Sequence, residues 1–297
     1  MKIKRKELII WPSILIILLF LGWILFRDER VNADQIIADI NTNINPVEVA
    51  STEPTNSNSS ITNVNTNTDN LPAGGQGLQL TTYNYTIPIL MYHHIRDFND
   101  PGDQIGTNLS VSPADFAKEL DLIKERGYTT ITFRDIESGN VPEKAIILTF
   151  DDGYANFYQN AYPELLRRGM KAVSYVIVND IGKGDYLTES QIVEMSNSGI
   201  EIGSHTLSHP DLAVASDVKA RREVFDSKAS LEKMIGKKII SLCYPSGKYS
   251  ATTEALTKEA GYSFAVTTNS GITTFGDFYA LNRYRINNGT SISGWIK

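Results

Sequence analysis

An α/β fold built from parallel βαβ units is predicted by three features of the chain. The six-residue apolar run Ala145–Phe150 has the composition of a strand buried on both faces. Similar runs alternate along the chain with segments of helical period, and those segments carry start and stop residues at their ends. Taken in order, Ile87-Pro88-Ile89-Leu90-Met91 reads as a short buried strand. Ser112-Pro113-Ala114-Asp115 supplies an N-cap, a proline at the first helical position and a capping-box acid, after which Phe116, Leu120 and Ile123 mark one helical face. Beyond the Ala145–Phe150 strand, a helix around Tyr162 to Arg168 stops at Gly169, and Ala172 to Val178 is another apolar run. Thr188 and Gln191 box the start of the next helix, which ends near Gly199 before a strand at Ile200 to Gly203. A longer helix over Asp217 to Ile235 leads to a strand at Ile239 to Tyr244, a helix from Thr252 to Ala260 and a strand at Phe264 to Thr267. Six or seven such units fit either a barrel or an open doubly wound sheet, and periodicity leaves that choice open.

The alternating pattern starts only near Tyr83, so the folded domain is expected over residues 83–297. Residues 1–7 form a basic tail, and from Leu8 to Phe26 nineteen residues run without a charge. At ~1.5 Å per residue that is about the thickness of a ~30 Å hydrocarbon core, and 8–26 is expected to span the plasma membrane once. Lys2, Lys4, Arg5 and Lys6 precede the segment, whereas Arg27 and Arg30 beyond it are accompanied by Asp28 and Glu29. That asymmetry keeps the N-terminus cytoplasmic and the domain outside. The competing reading is a signal peptide cleaved after Val31-Asn32-Ala33, which exports the domain as well. Residues 27–82 read as a flexible tether, since fifteen of the twenty residues from Ser51 to Asn70 are Ser, Thr or Asn and bury too little to offset their ordering entropy.

The chain holds 28 Lys and Arg against 34 Asp and Glu; from residue 31 onward the balance is 22 against 31, a net charge of −9. A body of that sign is a poor match to a phosphate backbone, so nucleic acid is set aside as a partner. The single cysteine, Cys243, excludes an internal disulfide and any Cys-rich zinc site.

Two places on the chain can do chemistry. The Ala145–Phe150 strand runs straight into Asp151-Asp152-Gly153, and folds of this class place their sites in loops at the carboxyl ends of parallel strands. Asp-Gly is also common in turns for its backbone conformation alone. After the Ile200–Gly203 strand come His205 and His209, whose spacing can aim two imidazoles at one ion or simply serve packing. Joined to a carboxylate from the preceding strand end, two histidines make a three-ligand set with room for water, the arrangement of catalytic metal sites.

Thr149-Phe150-Asp151-Asp152-Gly153 followed by His205-Thr206-Leu207-Ser208-His209-Pro210 resembles the first two motifs of the polysaccharide deacetylase (NodB homology) family, carbohydrate esterase family 4. Pro88 to His93, Tyr244-Pro245-Ser246-Gly247 and Leu281-Asn282-Arg283 extend the likeness over the whole domain. The resemblance implies a distorted (β/α) barrel of about seven parallel strands. It also implies a divalent metal, usually Zn2+, held by Asp152, His205 and His209, with Asp151 as general base in removing acetyl groups from an N-acetylated polysaccharide.

Three departures from the family pattern bear on the site. Cys243 stands where the third motif usually has an arginine, so whatever orients Asp151 must come from elsewhere. Ser246 takes the place of that motif's aromatic residue, where the backbone N–H can still bind an oxyanion. The last motif usually ends in histidine but here ends in Arg283, whose guanidinium cannot donate a proton at neutral pH. His93 and His94 are the only histidines left. His93, following Tyr92, resembles the Tyr-His of the branch that acts on poly-β-1,6-N-acetylglucosamine and is the leading candidate acid. Arg283 is left to hold either Asp151 or a sugar oxygen. Tyr154, Tyr244 and Trp295 are candidate sugar-stacking surfaces. Two alternatives stay open: a carbohydrate-binding module that has lost catalysis, and an esterase acting on O-acetyl groups.

Overall fold

The computed structural model describes residues 85–296. The expected tail, membrane span and tether all lie outside the described residues. Among the described residues, no helix is long and apolar enough to cross a membrane.

One sheet organises the domain. Its strands are β1 (Ile89–Tyr92), β2 (Thr129–Ile131), β3 (Ala145–Phe150), β4 (Ala172–Val176), β5 (Ile200–Ser204), β6 (Ser241–Cys243), β7 (Phe264–Val266) and β8 (Tyr284–Arg285). They pair in parallel in the order β7-β6-β5-β4-β3-β1-β8, with β2 attached to β3. Ile147 pairs with both Ile89 and Ile131, so β2 lies along the start of the β3 edge whose later residues, Thr149 and Phe150, carry β4. Leu281, just ahead of β8, bridges Val266 of β7, while β8 pairs with β1. The sheet therefore curls into a half-barrel of parallel strands, in keeping with a distorted barrel and unlike an open doubly wound sheet.

Period-two alternation sorts the strand residues onto two faces. Ile89, Ile147, Val173, Tyr175, Cys243 and Val266 meet in one cluster. Leu90, Tyr92, Leu148, Phe150, Ile202 and Leu242 join another beneath the helices. After a short helix at Gln104–Asn108, the helices are α1 (Pro113–Glu125), α2 (Phe133–Glu137), α3 (Tyr162–Arg168), α4 (Glu189–Asn197), α5 (Asp217–Ile235) and α6 (Ala251–Glu259). Their predicted ends are present: Ser112 Oγ accepts from Asp115 N at 3.0 Å, Thr188 and Gln191 bond reciprocally, and α3 stops at left-handed Gly169. On α1, Phe116, Leu120 and Ile123 are fully buried, worth ~2 kcal/mol apiece. The expected first strand is split at Pro88, which has no N–H to donate. Thr86–Ile87 pairs antiparallel with Thr273–Thr274, and β1 begins only at Ile89. β2, α2 and β8 have no counterpart in the sequence pattern, being too short for a period to emerge.

Behind β1, the Tyr92 hydroxyl donates to Glu119 Oε2 on α1 at 2.9 Å. Burial raises the Glu119 carboxyl to about 7, against the pull of the Tyr92 bond. A carboxyl raised in the folded state stabilises the fold below its unfolded pKa, and that contribution is lost as pH rises through the folded value. Stability is thus expected to fall by about 3 kcal/mol between the unfolded carboxyl pKa and neutral pH, with Glu119→Gln removing most of that slope. Urea unfolding across this range checks it; parallel profiles for the two proteins would rule out Glu119 as the cause.

Candidate active site

Side chains from the residues after β1, β3 and β5, from β6 and from Arg283 just ahead of β8 meet on one rim. Asp151 continues the β3 ladder, its N–H donating to Tyr92 O at 2.9 Å. Cys243 Sγ lies 3.5 Å from Asp151 Oδ2 although β6 and β3 are not neighbours in the sheet. Only the interior of the curl permits that contact. Among the described residues, the non-glycine positions with positive φ are Asp152 (74°), Thr206 (67°), His209 (54°) and Ser246 (54°). All four lie on rim loops, and each such conformation costs ~1–3 kcal/mol, which the surroundings must offset.

Asp152, His205 and His209 come together as the motifs suggest. Asp152 Oδ1 is 3.3 Å from His205 Nε2 and 3.7 Å from His209 Nε2. Donors placed tetrahedrally around one Zn2+ at ~2.1 Å would stand ~3.4 Å apart, so the set fits a divalent ion. The His205 tautomer is decided by its surroundings. Its Nδ1 lies 2.8 Å from the Cys243 carbonyl, which can only accept, leaving the Nε2 lone pair free on the Asp152 side. His209 is the more exposed of the two imidazoles, at 35% against 2%, so the set opens outward through it.

The loop bearing both histidines is braced by a residue with no sequence signal. Glu223 of α5 accepts from the N–H groups of Leu207 and Ser208, both at 2.9 Å, and from the Ser208 hydroxyl. Glu223→Ala strands those donors and is expected to weaken zinc binding by roughly 10–100-fold. Chelator-competition titration reads this directly, and unaltered affinity would make Glu223 a folding residue only.

Asp151 is held by Arg283. Arg283 Nη1 and Nη2 donate to the two carboxylate oxygens, each at 2.7 Å, in a fully buried fork. The remaining donors go to Thr149 Oγ1, Thr267 O and Cys243 Sγ. Burial alone would raise Asp151, but the guanidinium overrides it and holds the carboxyl well below the usual range. Of the two partners left open for Arg283, the structure selects Asp151. Cys243 is small enough to admit the Arg283 guanidinium, whose Nη2 lies 3.2 Å from its Sγ, where an arginine on β6 would collide with it. Asp151, His205 and Cys243 also cluster closely enough to bind a cation, but Arg283 already supplies the positive charge there.

His93 and His94 differ sharply in their surroundings. His93 Nε2 faces Asp151 Oδ2 at 4.0 Å, and its Nδ1 is buried without a partner. Burial lowers its pKa, partly countered by Asp151 and Asp152. His94 is tied down instead: Nδ1 pairs with Asn156 Nδ2 at 2.8 Å, and the ring stacks on Tyr154 at 3.7 Å. Tyr154 in turn stacks on Tyr186 and shares a hydrogen bond with Asp152, so its ring faces are already occupied. Tyr244 cannot stack on a sugar, being wholly buried against Tyr249, whereas half-buried Trp295 lies with one face flat on Tyr284 at 4.5 Å. Ser246 is exposed on the rim, where the bonds of its turn run from Gly247 N to Tyr244 O and from Lys248 N to Pro245 O, leaving the Ser246 N–H outside them. Gly247 is required there: its φ is +70°, and a Cβ would come within 2.1 Å of Thr268 Oγ1.

Comparison with known proteins points the same way. The polysaccharide deacetylase family model matches residues 138–265. The Bacillus subtilis protein YxkH, which carries the polysaccharide deacetylase name, is 34% identical over 215 residues, covering 70% of this chain and 74% of that protein. The poly-β-1,6-N-acetyl-D-glucosamine N-deacetylase of Staphylococcus epidermidis is 25% identical over 226 residues, covering 67% and 78%. Among solved structures, the Streptococcus pyogenes deacetylase PplD in complex with acetate superposes with a TM-score of 0.65 at 36% identity, covering 70% of this chain and 95% of that one. With this match spanning most of a named member, and with both strand-end motifs assembled on one rim, the chain belongs to the polysaccharide deacetylase family, hydrolases of carbon–nitrogen bonds other than peptide bonds.

Proposed function

We propose that the chain removes N-acetyl groups, as acetate, from an N-acetylglucosamine-containing polysaccharide outside the cell. One observation carries this reading: the Asp152, His205 and His209 donors converge beside a carboxylate, Asp151, that Arg283 keeps ionised. A divalent ion held by those donors, for which two imidazoles and a carboxylate favour Zn2+, would supply an activated water and polarise the acetyl carbonyl. Asp151, ionised throughout the neutral range, accepts the proton of the attacking water. Arg283 orients it and keeps its basicity low, so the proton is released again readily. His93 Nε2, 4.0 Å from the same carboxylate, takes that proton from Asp151 and passes it to the leaving nitrogen. The Ser246 N–H receives the charge that develops on the acetyl oxygen.

The named substrate of the staphylococcal relative supports this substrate class. The location rests on sequence: the span expected at 8–26 and the tether expected at 27–82 would hold the domain outside the plasma membrane. The test is acetate release by full-length protein from N-acetylglucosamine oligomers of β-1,4 and β-1,6 linkage, metal-stripped and then zinc-restored. Zinc-dependent release that Asp151→Asn lowers by about 10²–10⁴-fold is expected. Folded, zinc-holding protein that releases no acetate from any oligomer would defeat the reading.

A further inference from the structure

The rim carries more positive charge than an uncharged acetamide calls for. Arg285 lies one pleat beyond Arg283 at the end of β8. Between them Tyr284 turns outward onto Trp295, so alternation places both arginines on the interior face. The register partner of Arg285 is Met91, and the next interior position along that chain is His93, on which Arg285 acts electrostatically. Arg168, Arg221, Arg222 and Arg283 each sit on a carboxylate. Arg285 is half-buried yet, among the described residues, makes no ion pair or hydrogen bond.

A second cation follows the adjacent histidine. Arg96 donates from Nε to Ser110 Oγ at 3.1 Å and lies over the Phe98 ring at 4.1 Å. It too has no ion pair among the described residues, and it acts on His94 as Arg285 acts on His93. Two guanidiniums without ion pairs flank the His93-His94 step; of the carboxylates acting on the same two rings, Asp151 is paired with Arg283 and Asp152 belongs to the metal trio, which leaves Asp185. A guanidinium presents a planar fork that matches carboxylate and phosphate oxygens two at a time. A neutral polymer gains nothing from that fork, whereas an acidic one gains both affinity and register.

Resting on the deacetylase reading above, we propose that Arg285, with Arg96 beyond it, forms an anion subsite. The preferred substrate is then an acidic glycan bearing a carboxylate or phosphate within one sugar of the acetamide that is cleaved. Arg285 is the specificity-determining residue, because it alone of the two stands on the interior face with the reacting groups.

The test measures binding without turnover, using full-length, zinc-loaded protein carrying Asp151→Asn. Isothermal titration compares a neutral N-acetylglucosamine tetramer, a tetramer alternating with N-acetylmuramic acid, whose lactyl groups bear carboxylates, and a 6-phosphorylated N-acetylglucosamine tetramer. At low salt at least one acidic tetramer is expected to bind about tenfold tighter than the neutral one, and the tighter of the two identifies the anion. Adding Arg285→Gln should reduce that preference to about threefold or less, with Arg285→Lys, which keeps the charge and loses the fork, in between. Equal binding of all three tetramers, or an acidic preference that survives Arg285→Gln, overturns the subsite. Failure of the deacetylase reading would register separately, as absence of acetate release from every tetramer by the zinc-loaded protein without Asp151→Asn.

Discussion

Replacing Arg283 with methionine is expected to cost about 3–5 kcal/mol of stability, because it leaves Asp151 charged and unpaired in the interior. The guanidinium is fully buried with its donors engaged, two of them on the carboxylate, so no solvent stands ready to replace it. The pH dependence has a definite sign. The folded pKa of Asp151 is depressed, so the stabilisation is fully present above the unfolded carboxyl value and is lost as pH falls through the folded one. At neutral pH the whole effect should therefore be visible. Urea unfolding of metal-stripped protein is to be compared for Arg283→Met, Asp151→Asn and the double variant. The double variant should recover part of the loss, since removing both charges leaves neither one stranded. Activity should not recover, because the base is gone. A single-variant cost under about 1 kcal/mol would mean that the carboxylate finds water or another donor once Arg283 is gone, and that the fork is not what keeps it ionised.

His93→Ala is expected to lower kcat by roughly 10²–10⁴-fold, with a much smaller change in KM. His93 faces Asp151 and leaves Nδ1 unpartnered, so it is built into the rim without being consumed by structural bonds. His94→Ala serves as the control from the neighbouring position. Burial, with Arg96 adding to it, lowers His94 to about 4, and Asn156 and Tyr154 fix the ring. It stays neutral through the physiological range, and its loss should cost ~1–3 kcal/mol of stability through the unpaired Asn156 group. Steady-state rates with thermal unfolding of both variants separate the two roles. A larger kcat loss in His94→Ala than in His93→Ala would reverse the assignment.

What could be read from the chain was local. The caps at Ser112, Thr188 and Gly169 are found in place because a cap is a bond between residues a few positions apart. The same holds for the site. Asp151-Asp152 at the end of an apolar run, and two histidines one helical turn apart, are short-range patterns, and the family resemblance they carry implies the metal trio. Glu223 was invisible: one acid among several on a charged helix, marked only by the loop that folds back onto it. Tyr244 misled because an aromatic residue beside a motif gives no sign of which way its strand will turn it, and here it faces the core.

The sequence by itself determined the alternation of strands and helices, the ends of the longer helices, and the side chains able to take up a metal and a proton. Tertiary structure alone decided what controls the base. Arg283 and Asp151 are 132 positions apart, and Cys243 and Asp151 are 92 apart. Their meeting depends on the sheet curling until Leu281 reaches Val266. No local period encodes that closure, because it is the sum of the twist of every strand in between. The arginine missing from β6 is thus replaced by Arg283, just ahead of β8, through space that Cys243 leaves open.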